Sequence, residues 1–392
     1  MEYSPEEIMQ YIEEEDVKFI RLMFRDSFGV QKNLSVMPSE LRKAFTDGVG
    51  INPRHIDGFG GGEGSLLYLK PDPSTMTILP WRPESGRVVR MICDVCTAEG
   101  EFCDADSRVM LERAVAHSDR EGVEFKFGSK SEFYLFKLDD EGNRTEIPFD
   151  EAGYMDIAPV DKCENIRREI CLTIEEMGLR PERSHHEEGP GQNEIDFHYG
   201  TPLAAADQMS TFMMAVRTIA GRDGLYADFS PKPLRNKPGN GYHINIYATD
   251  RDGKDVCRQV AAGILNRIRD ITIFLNPSES SYRRFGTNTA PDRVNWSGEC
   301  PSALMHVSDY KGMIRTELRS PDALSNPYLA YSLLIEAGLE GIRDGLELPS
   351  VRVGEEQLLP QSLKEAREVA LKSDFVKNVV PEAVLKSYMD GE

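Results

Sequence analysis

Residues 184–197, SHHEEGPGQNEIDF, carry more information about the fold than any other stretch of the chain. Residues 188–191 have the composition of a tight turn, and the residues on either side are typical of two short strands. Because residues paired across a hairpin ladder point to the same face, Glu187 and Glu194 are expected to converge from the two arms. Two converging carboxylates repel unless a cation lies between them, and Mg²⁺ or Mn²⁺ prefers oxygen ligands. A metal site on the hairpin is one interpretation, and two solvated glutamates beside a turn is the other.

Composition excludes several classes of partner. The chain has 392 residues, enough for two domains, and its net charge is −20. It has no block of basic residues, so we expect neither a nucleic acid nor a membrane surface as partner. Its acidic beginning, MEYSPEEIMQYIEEED, is unlike a secretory signal, and no apolar run approaches the ~18 residues that span a bilayer. The seven scattered cysteines indicate free thiols. We therefore expect a soluble, cytoplasmic protein.

Helical and strand-like periodicities alternate along the chain. Positions 18–24 and 31–36 alternate around DSFG and predict a hairpin, and further strand-like runs occupy 75–79 and 88–95. A helix is predicted over 106–121 and a strand over 124–136. Later helical patterns lie at 161–178, 202–223, 255–276 and 326–344, and strand patterns lie near 180–187, 193–198, 225–230, 241–248 and 313–319. Antiparallel-looking hairpins with helices gathered elsewhere predict an α+β fold rather than a doubly wound sheet.

Five of the predicted strands carry one apolar face and one polar face. Residues i and i+2 of a strand share a face, and the polar faces are rich in metal-ligating and anion-binding types. Three of these strands, near 124–136, 241–248 and 313–319, have polar faces. In chain order these faces carry Lys130, Glu132 and Tyr134; His243, Asn245 and Tyr247; and Arg315, Glu317 and Arg319. The two hairpin arms add Glu187 and Glu194. Solvent-facing strands would explain each pattern singly, but five together favour a polar funnel lined by ligand-binding groups.

Several stretches are specific enough to indicate a known family. They are LMFRDSFGVQKNLSV, LKPDPST and ICDV, followed by EFYLF, the hairpin quoted above, GYH, NPSESSYRRF, NWSG and RTELRSPDALSNPYLA. Together they resemble the glutamine synthetase family along nearly the whole chain. The resemblance implies a β-grasp domain over 1–103 and a catalytic domain over 104–392, in which antiparallel strands form a half-barrel with surrounding helices. It also implies a ring homo-oligomer, hexamer- or dodecamer-like, with each active site built between two subunits.

The resemblance further implies a reaction and a set of metal ligands. The family joins ammonia, or in relatives another amine, to the γ-carboxylate of glutamate after ATP has phosphorylated it, and Mg²⁺ or Mn²⁺ neutralises the transferring group. The first metal site would consist of three glutamates, Glu132, Glu187 and Glu194. The second would keep His243 and Glu317. Its third ligand is replaced, because the family's GxExE reads GSKSE here and places Lys130 at a glutamate position.

Substrate and nucleotide contacts are assigned by the same resemblance. Arg284 matches the arginine that holds the glutamate α-carboxylate, Arg319 matches one near the reacting carboxylate, and Gly239 is placed with them at the substrate site. Asp57 matches the aspartate that helps to bind ammonium. Two basic residues, Lys232 and Arg315, are candidate contacts to the phosphates of ATP. The candidate catalytic residues are then Asp57, Lys130 and Arg319.

The sequence departs from the family where ATP chemistry occurs. The family's GYEAP flap reads GTNTAP, which places Thr289 where the flap glutamate should be. The second histidine of an HxH pair is Asn245. Three positions that carry arginine in the family are Glu299, Pro301 and His306. The replaced arginines would stabilise negative charge in the transition state of ordinary glutamine synthesis. Their loss, together with that of the flap glutamate, argues against that reaction.

Three functions therefore stay open at this point. The first is a diverged γ-glutamyl ligase that joins an amine to glutamate or a similar amino acid. The second is an ATP-independent enzyme that uses one metal as Lewis acid or water activator on an amino-acid-like or amide substrate. Lys130 would then be a general base or a carboxylate anchor if burial lowers its pKa. The third is a non-catalytic regulatory or assembly protein, which the retained first-site carboxylates argue against because buried unpaired carboxylates are costly.

Overall fold

The computed structural model describes residues 3–59, 66–82, 85–300, 302–350 and 356–391. The chain divides into two units. One consists of Met1–Met110, Thr173–Leu179 and Pro381–Glu392, and the other of Leu111–Leu172 and Arg180–Val380. The domain boundary between 103 and 104 stays a prediction. Among the helices in the described ranges, none has the length and apolar character needed to cross a bilayer.

The first unit contains a mixed sheet. Its helices and strands are α1 (Pro5–Glu14), β1 (Val17–Arg25), β2 (Gln31–Val36), α2 (Leu41–Asp47), β3 (Val49–Ile51), β4 (Leu67–Pro71), β5 (Thr77–Ile78) and β6 (Arg87–Cys96). The hairpin predicted around DSFG is confirmed, with β1 and β2 antiparallel. The strand order is β2-β1-β6-β4-β3, and β1 and β6 run parallel at its centre. This is the β-grasp architecture expected from the sequence.

The second unit is built on a nine-stranded sheet. The remaining elements of the chain are α3 (Ser107–Glu121), β7 (Val123–Leu138), β8 (Arg144–Pro148), α4 (Glu164–Glu176), β9 (Pro181–His186), β10 (Gln192–Phe197), α5 (Pro202–Arg222), β11 (Leu225–Asp228), β12 (Tyr242–Asp250), α6 (Cys257–Leu275), α7 (Glu279–Arg284), β13 (Trp296–Ser297), β14 (Met305–Tyr310), β15 (Met313–Leu318), α8 (Pro327–Arg343), α9 (Leu363–Lys372), α10 (Asp374–Val379) and α11 (Glu382–Asp390). Of these, α11, the start of α3 and the end of α4 belong to the first unit. The strand order is β13-β14-β15-β12-β7-β10-β9, with β8 and β11 also on β7. Nearly all pairs are antiparallel, which confirms the α+β half-barrel.

An aromatic cluster fixes which face of this sheet is polar. Phe212 of α5 lies 6.0 Å from Phe133 of β7 and 5.1 Å from Phe197 of β10, measured between ring centroids, and 5.9 Å from Phe229. All four rings are buried. Because side chains alternate along a strand, burying Phe133 under α5 turns Glu132 to the opposite face. The polar face therefore depends on hydrophobic packing behind it.

Helices α6 and α8 cross at two glycines. A Cβ on Gly263 would lie 2.1 Å from the carbonyl oxygen of Ala337 and 2.8 Å from Cα of Gly341. A Cβ on Gly341 would lie 2.2 Å from the carbonyl oxygen of Gln259. The backbones thus touch directly, and neither position has room for a methyl group.

Gly263→Ala is expected to lower the free energy of unfolding by about 3 kcal/mol, because the added methyl meets backbone atoms that cannot rotate away. Urea denaturation followed by circular dichroism measures this. The matched control is Gly221→Ala near the end of α5, where a Cβ would meet nothing within 4 Å. There we expect a gain of about 0.5–1 kcal/mol, since alanine is the better helix former. Equal stability of Gly263→Ala and wild type would contradict the close crossing.

Asp106 caps α3 with a buried carboxylate. Its oxygens accept hydrogen bonds from the backbone nitrogens of Val95 at 2.8 Å and Arg108 at 2.9 Å. Burial, together with the nearby charge of Asp94, raises the pKa of Asp106 to about 7. An aspartate in an unfolded chain titrates near ~3.9, so the native state binds this proton more tightly. The stability from that proton is complete below pH ~3.9 and is lost as pH rises through the native pKa.

Asp106→Asn is therefore expected to flatten the pH dependence of unfolding. Between pH 5 and pH 8 the wild type should lose about 2–3 kcal/mol relative to this variant, since one pKa unit corresponds to about 1.4 kcal/mol. Asparagine keeps a side-chain oxygen at the cap. Urea titrations at both pH values measure the difference, with Asp119→Asn at an exposed position of α3 as control. Parallel pH profiles for wild type and Asp106→Asn would contradict the raised pKa.

Candidate metal and substrate site

The ladder of the central strands brings the predicted glutamates together. Glu194 on β10 lies directly opposite Glu132 on β7, and on its other side opposite His185 on β9. The backbone nitrogen of Glu187 donates to the carbonyl of Gln192 at 2.8 Å, which extends the hairpin ladder by one residue. Glu187 and Glu194 are therefore diagonal neighbours on one face rather than a directly opposed pair.

Two overlapping groups of side chains have the geometry of cation ligands. Within each group the potential ligand atoms lie within 4.8 Å of one another. One group is Glu132, Glu194 and His243, and the other is His185, Glu187 and Glu194. Glu194 belongs to both, and its Oε1 lies 3.1 Å from Nε2 of His185. His185 was not predicted as a site residue, although its position two residues before Glu187 places it on the same strand face.

The electrostatics of these carboxylates fit a bound cation. Burial, reinforced by the charge of Glu132, raises the pKa of Glu187 to about 7. Burial, reinforced by Asp196, Glu132 and Glu187, raises the pKa of Glu194 to about 8. Carboxylates under such mutual repulsion hold either protons or a cation. The oxygen-rich ligand set suits Mg²⁺ or Mn²⁺, with Glu132, Glu187 and Glu194 as the residues that would hold it.

The ammonium of Lys130 pairs with the carboxylate of Glu317. Nζ is 3.3 Å from Oε2 of Glu317, while Oε1 of Glu317 is 3.0 Å from Nη1 of Arg319 and 3.2 Å from Nδ1 of His243. Three nitrogen groups thus surround this carboxylate. Burial opposes the shift, but these neighbours hold the pKa of Glu317 well below its usual range. Burial and Arg319 lower the pKa of His243 to about 3, so its imidazole is neutral.

One hypothesis from the sequence requires that burial lowers the pKa of Lys130, and the structure indicates the opposite shift. Burial works against its charge, but Glu317, Glu194 and Asp196 outweigh burial and raise the pKa of Lys130. Asp196 is the residue opposite Lys130 on β10, and His243 is the residue opposite it on β12. A general base needs a lowered pKa, so this shift does not favour a role for Lys130 as a base, and that role stays a prediction. Lys130 is a charged ammonium in a ring of carboxylates.

Arg284 is fixed beside this cluster by backbone carbonyls. Its guanidinium is buried and donates to the carbonyl oxygens of Ser320 at 2.8 Å and Arg319 at 3.1 Å. A Cβ on Gly239 would lie 2.3 Å from the carbonyl oxygen of Pro231 and 2.9 Å from Cγ of Arg284, so only glycine fits there. Gly239 therefore packs close to Arg284, and its role at the substrate site stays a prediction.

Gly241 lies between Glu132 and Arg284. Its backbone nitrogen donates to Oε2 of Glu132 at 2.9 Å. A Cβ on Gly241 would lie 2.6 Å from Nε2 of His243 and 2.7 Å from Nη2 of Arg284. Gln192, which the sequence did not single out, donates from Nε2 to Oε2 of Glu132 at 3.2 Å and to the carbonyl of Gly239 at 3.1 Å.

The remaining predicted residues lie in different places. Lys232 donates from Nζ to the carbonyl of Lys237 at 2.6 Å and to Oγ1 of Thr287 at 3.1 Å, so it anchors the GTNTAP segment. Arg315 lies on β15 opposite Ser308 of β14. Asp57 belongs to the first unit, where its carbonyl oxygen accepts from the backbone nitrogen of Ser27 at 3.2 Å.

The positions at which the resemblance predicts departures from the family lie in two kinds of place. Thr289 and Glu299 are exposed, whereas Asn245 and His306 both lie opposite Glu317, one on each neighbouring strand. Pro301 lies outside the described residues. The ladder therefore places Asn245 and His306 next to Glu317.

Comparisons with known proteins address the family directly. Residues 104–391 match the profile of the glutamine synthetase catalytic domain, and residues 16–98 match that of the glutamine synthetase beta-grasp domain. The chain belongs to the glutamine synthetase family. A glutamine synthetase of Clostridium saccharobutylicum is 38% identical over 418 aligned residues, which cover 100% of this chain and 94% of that protein. A glutamine synthetase of Methanosarcina mazei is 38% identical, with 98% and 92% covered.

Solved structures of the glutamine synthetase fold agree. The complex of GmaS with ADP superposes with a TM-score of 0.87 at 23% identity, covering 97% of this chain and 93% of that one. A glutamine synthetase of Plasmodium falciparum gives 0.87 at 20% identity, with 99% and 94% covered. At these identities the likeness establishes the fold. The glutamine synthetase family normally uses ATP and divalent metals, and the carboxylate groups described above suit such a metal.

Proposed function

We propose that this protein is a carboxylate–amine ligase that uses ATP to join an amine to glutamate or a similar amino acid, with one resident divalent cation. The observation that supports it best is the position of Glu194, which forms one group of potential ligands with Glu132 and a second group with Glu187. A bound Mg²⁺ or Mn²⁺ would neutralise charge on the transferring phosphoryl group.

Other residues of the chain would bind the substrate, the nucleotide and the amine. Arg284, held by backbone carbonyls, would bind the substrate α-carboxylate, and Arg319 would face the reacting carboxylate. Lys130 would supply fixed positive charge where other family members place a second cation, although an ammonium cannot bridge phosphate oxygens as a metal does. Lys232 and Arg315 would contact nucleotide phosphates, and Asp57 would receive the amine.

Assembly and location form part of the same proposal. The glutamine synthetase family forms ring oligomers, and we propose a ring homo-oligomer for this chain. We also propose a cytoplasmic location and the two domains 1–103 and 104–392. Analytical ultracentrifugation of the purified protein tests the assembly.

Metal content and nucleotide binding test the ligase. We expect one tightly bound Mn²⁺ per subunit by elemental analysis after gel filtration, and ADP binding by calorimetry in the presence of Mg²⁺. We further expect ADP release when ATP, glutamate and a panel of amines from ammonia to longer alkylamines are supplied. The control variant, Glu340→Gln, removes a carboxylate that pairs with Arg267 at 2.6 Å between α6 and α8, and should leave all three results unchanged.

The same measurements discriminate the alternative function. One bound metal with no nucleotide binding would overturn the ligase and favour the ATP-independent enzyme. Two bound metals per subunit would overturn the role proposed for Lys130.

A further inference from the structure

The reverse side of the metal-bearing hairpin contains a buried carboxylate that the proposed reaction does not use. Asp150 is buried, and its Oδ1 accepts hydrogen bonds from Nε2 of His186 and from the backbone nitrogen of Gly191, both at 2.9 Å. Its Oδ2 accepts from the backbone nitrogen of Lys162 at 2.9 Å and faces the thiol of Cys163 at 3.3 Å. One carboxylate thus holds both ends of the turn.

His186 links Asp150 to the backbone of Glu187, one of the proposed metal ligands. Its Nδ1 lies 2.7 Å from the carbonyl oxygen of Glu187, and its Nε2 faces Asp150. The imidazole is fully buried. Because His186 and Glu187 are consecutive, the histidine points to the reverse face while the glutamate points to the metal face. The position of the Glu187 backbone is therefore set from behind.

Arg167 is a second charged side chain behind the hairpin, and it binds the arm formed by β10. Nη1 of Arg167 donates to Oδ1 of Asn193 at 2.7 Å and to Oδ1 of Asp161 at 3.2 Å. Nδ2 of Asn193 donates to the carbonyl of Gly191 at 3.0 Å, and the nitrogen of Cys163 donates to Asp161 at 2.8 Å. These bonds close a loop that returns to Asp150 through Cys163. This ring of hydrogen bonds meets the turn at Gly191 and contains none of the proposed metal ligands.

The four side chains Asp150, Asp161, Cys163 and His186 also lie close enough for a cation. Their polar atoms are already matched with one another, with backbone donors and with Arg167, whose guanidinium takes both oxygens of Asp161. Burial raises the pKa of the Cys163 thiol, so the thiolate that a metal needs is disfavoured. The donor pattern is that of a closed hydrogen-bond network.

We propose that Asp150 is a positioning residue that sets the affinity of the first metal site by fixing the turn between Glu187 and Gly191. This inference rests on the metal site in the proposed function. Partners that orient a metal ligand typically contribute about 10–100-fold in metal affinity. Asp150 acts through His186 and the backbone, so its effect is on geometry rather than on ligand number.

Mn²⁺ binding followed by electron paramagnetic resonance tests the role of Asp150. Asp150→Asn is expected to weaken Mn²⁺ binding by about 10–100-fold and to change the line shape of the bound ion, with one Mn²⁺ per subunit still bound at saturation. A milder variant, His186→Gln, keeps a donor toward Asp150 and loses the contact to the Glu187 carbonyl, so a smaller loss in the same direction is expected. Glu340→Gln is the control for general destabilisation and should keep the wild-type affinity and line shape.

The outcomes separate this inference from the proposed function. Folded Asp150→Asn with wild-type affinity and line shape would overturn the positioning role and leave the ligase intact. An equal loss in Glu340→Gln would also overturn it, because the effect would then follow stability alone. Wild-type protein that binds no Mn²⁺ would overturn the metal site and this inference together. If Asp150→Asn does not fold, His186→Gln decides by the same two readouts.

Discussion

Glu194→Gln is expected to weaken divalent-cation binding by at least about 100-fold, more than the loss of an outer partner costs. Glu194 is the residue shared by both groups of potential ligands, so one substitution removes a negative charge from each. Glutamine has the same shape and keeps an oxygen for His185. Isothermal titration with Mn²⁺ measures the change, and any metal-dependent turnover should fall in parallel.

The fold should survive this substitution. Burial and neighbouring carboxylates raise the pKa of Glu194 to about 8, so the ionised side chain is costly in the cation-free protein. The melting temperature of Glu194→Gln in chelator should therefore equal or exceed that of wild type, while the rise on adding Mn²⁺ disappears. Unchanged Mn²⁺ affinity in a folded variant would show that the cation is held elsewhere.

Lys130→Glu is expected to raise the stoichiometry from one to two divalent cations per subunit. The ammonium that now lies 3.3 Å from Glu317 would be exchanged for a carboxylate beside Glu317 and the neutral imidazole of His243. Oxygen and imidazole ligands of that kind suit a second cation. Elemental analysis and Mn²⁺ titration count the ions.

Lys130→Gln is the matched control, since it removes the positive charge without adding a ligand charge. It should keep a single cation per subunit. In chelator, Lys130→Glu should melt below Lys130→Gln, because the new carboxylate faces Glu317, Glu194 and Asp196. Added Mn²⁺ should reverse that order. A single cation in folded Lys130→Glu would contradict the idea that Lys130 occupies a former metal position.

The fold and the faces of its strands were predictable because strand alternation is a local property. The apolar and polar sides of β7, β12 and β15 follow from period two, and a one-residue slip would bury the charged set. The hairpin around DSFG followed from its turn chemistry. Strands β8 and β14 were missed, and in β8 the sequence RTEIP has a single aliphatic residue and therefore little periodic signal.

The site was less predictable because ladder register is not local. Knowing that Glu194 lies on a polar face does not reveal that His185 and Glu132 flank it, and Gln192 has no signal of its own. Nor does sequence reveal the charge state of Lys130, which depends on three carboxylates from other strands. The network around Asp150 connects residues up to 41 positions apart, so only the folded chain shows it.

Gly241 has an implication for how such a site changes in evolution. The backbone nitrogen of Gly241 donates to the carboxylate that would hold the cation, and a Cβ at the same residue would collide with the arginine that would hold the far end of the substrate. In the proposed ligase the span between those two ends is therefore set by backbone, and no side chain can be exchanged there to lengthen it. A shift to an amino acid one methylene longer would require a different loop, so such changes are expected through insertions and deletions rather than through point substitutions.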